Sequence, residues 1–184
     1  MEISRLREAT AADHEAVEGS VPLVSPDLNR LGYIAVLERL HGMVAAWESY
    51  AQARAPEWMR PYLDERRRLT LLERDLLVLG RVPPDGDRPE MPTLNGDAAL
   101  LGAAYVMEGS RLGGQLIARH VEKQLGLRSG EGDAYFVGFG DSTGAKWKEL
   151  VALIERRVPD AEEDLAIGGA KAMFGAFGRW MGGL

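Results

Sequence analysis

The sequence contains no cysteine. That excludes disulfides, Fe–S clusters, thiolate zinc sites and cysteine nucleophiles in one step, and it suits a reducing cytoplasm. Histidine is scarce too, with three residues among 184, so imidazole chemistry has only three candidate bearers. No apolar run approaches the roughly 20 residues needed to cross a bilayer, and residues 1–20 lack a charged segment followed by an apolar one. The expectation is a cytoplasmic protein with no signal peptide and no membrane span. Basic charge is not in excess. Lys and Arg total 22 against 28 Asp and Glu, a formal charge of −6. General affinity for nucleic acid is therefore not expected, because it needs surplus cations to neutralise phosphates. An anionic ligand would need a local cluster of Arg or Lys.

What is present describes a globular chain. Hydrophobic residues make up 46% and charged residues 27%, and the length suits one domain, 1–184, with one continuous core. No period-two alternation is sustained and no internal repeat occurs, so the fold class is all-α, a single-domain helical bundle.

Residues 3–18 lack Gly and Pro and read as one helix, with Ile3, Leu6, Thr10, His14 and Val17 on one face. A second helix starts after Ser25 or Asp27 as N-cap and runs to about Arg54. A third covers 64–79, followed by a proline-rich loop over 80–92. Residues 95–125 are helical but interrupted by Gly109, Gly113 and Gly114. Residues 126–144 read as a long glycine-rich loop carrying the exposed-looking aromatics Tyr135, Phe136 and Phe139. Helices over 146–157 and 161–181 complete the chain, separated at Pro159.

Two features can carry chemistry. His14 has Glu18 four residues later, one turn along the same helix face. A carboxylate there can take the proton of one ring nitrogen and leave the other free for a metal. On this feature alone a partly buried histidine in an i,i+4 pair is the better reading. Arg7 lies almost two turns earlier on nearly the same stripe, about 10 Å away on a continuous helix. That geometry suits a flat ligand with a central metal and carboxylates on its rim, although a lone Arg near a helix start is more often simply solvated.

The second feature is Glu108-Gly-Ser-Arg-Leu-Gly-Gly-Gln115. Each interior glycine costs a helix roughly 0.5–1 kcal/mol relative to alanine, so something must offset three of them. Together with Gly102 they form a face without side chains, open either to a ligand or to close helix packing. The two readings stand about even. Glu38-x-x-His41 raises a di-iron carboxylate centre, but the second Glu-x-x-His is missing, since Ala11 and Ile117 precede the other histidines at that spacing. His41 is then a packing or capping residue, and His120 a solvated or interface one. Zinc-protease, Walker A and Gly-x-Ser-x-Gly patterns are absent.

Leu6-Arg-Glu-Ala-Thr-Ala-Ala-Asp-His14-Glu-Ala-Val-Glu18 resembles the proximal helix of haem oxygenases, bacterial branch, and Tyr105-Val-Met-Glu-Gly109-Ser-Arg-Leu-Gly113-Gly114-Gln115 resembles their kinked distal helix. Order and separation also agree. The resemblance implies a biliverdin-producing oxidoreductase that opens haem, its substrate and cofactor, with O2 and releases CO and iron. It implies His14 as iron ligand, Glu18 as its orienting partner and Arg7 as a propionate partner. Gly109, Ser110, Gly113 and Gly114 would form the distal, catalytic wall. Well-known animal members carry an Asp after the first distal glycine, where Ser110 stands here, which puts the proton route in question, with Ser110 or Arg111 as substitutes. Lys171 and Arg179 are further propionate candidates. Electrons must come from an external reductase or ferredoxin-type donor, because no flavin or Fe–S motif exists here. A non-enzymatic haem carrier or sensor on the same fold is the alternative.

Overall fold

The computed structural model describes residues 1–19 and 21–182, and among them every regular element is helical. In chain order the helices are α1 (Ile3–Ala9), α2 (Ala11–Glu18), α3 (Arg30–Arg54), α4 (Arg60–Glu65) and α5 (Leu69–Val78). There follow α6 (Gly96–Gly109), α7 (Gly114–Leu125), α8 (Ala134–Val137), α9 (Thr143–Arg157) and α10 (Glu163–Met181). The all-α expectation holds, and its boundaries shift where tertiary contacts overrule local pattern.

The expected helix over 3–18 is two helices. Thr10 donates its hydroxyl to Leu6 O at 2.8 Å and adopts φ −113°, ψ 6°, outside helical values. Such back-bonding offers the backbone an alternative to the helical ladder. α3 begins later than expected because Asn29, not Ser25 or Asp27, caps it, accepting from Gly32 N at 2.9 Å. α5 starts at Leu69 rather than 64, where the Glu48 carboxylate of α3 accepts from Arg68 N at 2.7 Å and Leu69 N at 3.0 Å. A side chain 20 residues away thus takes over the orphan donors of that helix end.

The stretch 126–144 needs the largest correction. It contains α8, and Tyr135 and Phe136 are buried rather than exposed. Asp75 of α5 explains why. Its carboxylate is fully buried and accepts from Ala134 N and Tyr135 N, both at 2.8 Å, so it caps α8 from below. Tyr33 donates its hydroxyl to Gly132 O at 2.9 Å, and the loop is drawn onto the core.

α6 is apolar on nearly every side because it runs through the middle, with α10 its main neighbour. The two backbones touch. A Cβ on Gly102 would land on the Ala166 carbonyl, and one on Gly169 would land on the Ala99 carbonyl. α2 also packs on α10. The core around them includes Tyr33, Leu37, Met43, Leu101, Met107 and Met173. No helix among the described residues is long and apolar enough to cross a membrane.

Candidate functional site

The glycine segment keeps right-handed geometry throughout. Ser110 has φ −59°, ψ −19° and Gly113 φ −78°, ψ −12°, and Gly109, Gly113 and Gly114 all have negative φ. None of them is needed for a left-handed turn, so their use must lie in the space that a side chain would take. Gly114 is accounted for by packing, since a Cβ there would stand 2.4 Å from Phe136 O. Gly102 is accounted for by α10. Gly109 has the Trp147 ring as its nearest neighbour, 3.8 Å from such an atom. Gly113 has nothing within 4 Å. No neighbouring atom requires glycine at 113, which is the N-cap of α7. Beside it Leu112 and Leu116 are 48% and 67% exposed, an apolar pair one turn apart on an open face.

The residues behind this face are charged and buried. Arg68, on the segment leading into α5, donates from Nη2 to Met107 O at 2.7 Å and to Ser110 Oγ at 2.9 Å. Ser110 in turn donates to Met107 O at 2.7 Å, so its hydroxyl is engaged inward. Arg111 pairs with Glu108 at 3.2 Å and donates to Arg66 O. Burial, then the neighbouring Arg68, pulls the Arg111 guanidinium down to about 10. The two proton-route substitutes are thus both tied to this network, Ser110 from an exposed position and Arg111 from a buried one. Arg68 and its partner Glu48 were not among the sequence candidates. The available signal was the run Arg66-Arg67-Arg68, a pattern that ordinarily marks solvated surface.

His14 sits on α2 with 54% of its side chain exposed, its ring edge-on to Phe174 of α10 at 6.0 Å between centroids. Its Nδ1 lies 3.6 Å from Glu18 Oε2, an ion-pair rather than a hydrogen-bond distance. Nε2 has no protein partner among the described residues. Arg7 is exposed on α1, on the far side of the break at Thr10, so the straight two-turn stripe to His14 does not exist. His14 and Glu18 are brought together; α2 meets α10, and α10 meets α6, which carries Gly109.

The other histidines have ordinary places. His41 is buried in α3 with Nε2 3.8 Å from Glu73, while Glu38 pairs with Arg81 at 3.3 Å. No group of three or more His, Asp or Glu among the described residues could hold a metal ion, which leaves the di-iron pattern without a structural counterpart. His120 Nε2 lies 2.9 Å from Ser25 O and joins the start of the chain to α7.

Comparison with known proteins decides the family. The family model described as Heme oxygenase matches residues 88–182, which include the glycine segment. A heme oxygenase of Xanthomonas campestris pv. campestris is 36% identical over 151 residues, covering 79% of this chain and 86% of the relative. The chain belongs to the haem oxygenase family. Its fold agrees with solved members of that family. The haem oxygenase of Neisseria meningitidis, solved with NO and CO bound, superposes with a TM-score of 0.77 at 25% identity over 97% of this chain and 88% of its own. That of Leptospira interrogans gives 0.79 at 22% identity, covering 98% of each chain. The protein is accordingly a haem oxygenase-family enzyme, and its all-α architecture is the haem oxygenase fold.

Proposed function

We propose that this enzyme binds haem between α2 and the face carrying Gly109 and Gly113, and cleaves it with O2 to biliverdin, CO and iron. Gly113 carries the reading: an exposed glycine at the N-cap of α7, where a Cβ would meet no protein atom within 4 Å, flanked by exposed leucines. A flat apolar ring system is a ligand that uses such an open space and such flanks.

The chain's own groups then have definite tasks. His14 offers a free Nε2 to the haem iron, and Glu18 holds the Nδ1 proton, directly or through water, which fixes the tautomer and orients the ring. Phe174 supports the imidazole edge. Gly109 and Gly113 keep side chains off the reacting face, while Leu112 and Leu116 exclude water around it. Gly114 and Ser110 act from behind, one by close packing and one through Arg68. Arg7, Lys171 and Arg179 are the cations available for propionates; Lys171 lies one turn from Phe174 on α10. Haem, when bound, supplies the iron and the oxygen chemistry, and electrons come from an external reductase or ferredoxin-type donor. The reading treats 1–184 as one domain, supported by the continuous core, acting in the cytoplasm, supported by the absence of cysteine.

A hemin titration followed by visible spectroscopy tests it. The expected result is one haem per chain, a spectrum changed by His14→Ala, and its restoration by added imidazole. An unchanged spectrum in His14→Ala, with loss in His41→Ala or His120→Ala, removes His14 from the site.

A further inference from the structure

The break between α6 and α7 contains no proline and no positive φ. Local bonds hold its backbone: Ser110 N to Val106 O, Arg111 N to Glu108 O and Leu112 N to Gly109 O, with the Ser110 hydroxyl on Met107 O and the Arg111–Glu108 pair beside them. These bonds shape the turn but tie it to nothing outside 106–114. Arg68 supplies a long-range tie, from 42 residues away in sequence. Only 3% of this residue is exposed, and its guanidinium lies 4.6 Å over the Tyr135 ring. The same Nη2 serves the Met107 carbonyl in the last turn of α6 and the Ser110 hydroxyl at its C-cap. A cation at a helix C-terminus meets free carbonyls and the negative end of the helix dipole. The segment bearing Arg68 is itself anchored to α3 by Glu48, and it receives the Arg111 side chain on Arg66 O. Residues 66–69 and 107–111 are therefore stapled in both directions.

We propose that Arg68 is a positioning residue for the reaction: through Met107 O and Ser110 Oγ it fixes the angle at which α7 leaves α6, and so where Gly109 and Gly113 stand against the substrate. The role in the reaction rests on the haem oxygenase reading above; the clamp itself does not.

The test uses the full chain with Arg68→Met and Arg68→Lys. In the haem-free protein, amide hydrogen exchange over 107–114 should quicken about tenfold in Arg68→Met, the scale of losing a charge-assisted hydrogen bond. Arg68→Lys, which can still reach one of the two acceptors, should restore most of the protection. With haem, oxygen and a reductant, Arg68→Met should change the ratio of biliverdin isomers, a readout that lowered stability alone would leave at the wild-type value. Wild-type exchange over 107–114, or a wild-type isomer ratio, in folded Arg68→Met overturns the proposal. If Arg68→Met does not fold, Ser110→Ala decides, because it removes one of the two acceptors of Arg68: it should raise exchange over 107–114 and shift the ratio, and wild-type values for both overturn the proposal. If the wild type yields no biliverdin, the oxygenase reading fails and the reaction role of Arg68 with it, while exchange still decides whether the clamp exists.

Discussion

Adjacent glycines at 113 and 114 should respond to the same substitution to different degrees. A Cβ at Gly114 would stand 2.4 Å from Phe136 O and 3.3 Å from Phe136 C, which are backbone atoms of a segment anchored by Asp75. Relief requires moving α8 or α7. Overpacking of this kind costs about 1–3 kcal/mol, against a helix-propensity gain of roughly 0.5–1 kcal/mol for alanine over glycine. The net cost is about 0–2.5 kcal/mol, and at about 2–4 °C per kcal/mol for a domain of this size Gly114→Ala should lower Tm by up to about 10 °C. At Gly113, the N-cap of α7, the new Cβ meets nothing within 4 Å, so no overpacking arises. Glycine is a somewhat better N-cap than alanine, and Gly113→Ala should lower Tm by no more than about 4 °C. Function should follow the reverse order. Gly113→Leu projects a branched side chain into the open space and should retain or weaken haem binding while turnover falls sharply. Folded Gly114→Ala should lose less. Melting of the haem-free variants by circular dichroism, followed by hemin titration and turnover per folded molecule, checks both halves. The reasoning fails if Gly113→Ala melts as early as Gly114→Ala, or if Gly113→Leu turns over normally once folded.

Two further outcomes follow from buried contacts. Burial, then the neighbouring Glu122 carboxylate, pushes the Asp133 carboxyl up from 3.8 to about 6, so its contribution to stability is fully present below about pH 4 and is lost as pH rises through about 6. Asp133→Asn should therefore gain stability relative to the wild type between pH 4 and pH 7, by at most about 3 kcal/mol; denaturant melts at both pH values that differ by the same amount would refute this. Gly102→Ala drives a methyl into the Ala166 carbonyl at the α6–α10 crossing and should cost about 3 kcal/mol or more, seen as a Tm lowered by about 6–12 °C; a wild-type Tm would show that the two backbones do not touch there.

The helical class was legible because no period-two alternation is sustained and stretches of good helix formers lie between the glycine- and proline-rich segments. Such a pattern could not reveal the break at Thr10, where a hydroxyl competes with the ladder inside a stretch of good helix formers. Nor could it place Tyr135 and Phe136, whose burial depends on an Asp75 carboxylate about 60 residues away. The glycine face was legible as a cost needing an explanation, but sequence alone could not divide it. Structure assigns Gly102 and Gly114 to backbone contact and leaves Gly113 open. The buried Arg68 clamp, and the Glu48 carboxylate that holds its backbone N–H, were invisible for a different reason. A run of charge is normally solvated, and only the fold shows that two of these three arginines point inward.

The central claim is that this chain turns haem over rather than carrying it. The direct measurement is visible spectroscopy of the haem complex given O2 and an electron donor, with catalase present to remove free peroxide, and with biliverdin and CO assayed at the end. The account predicts decay of the Soret band, a biliverdin absorption in its place and recovery of CO, all lost in Gly113→Leu. A stable Soret band under catalase, with neither biliverdin nor CO recovered, would contradict it and leave a haem-binding protein on the haem oxygenase fold.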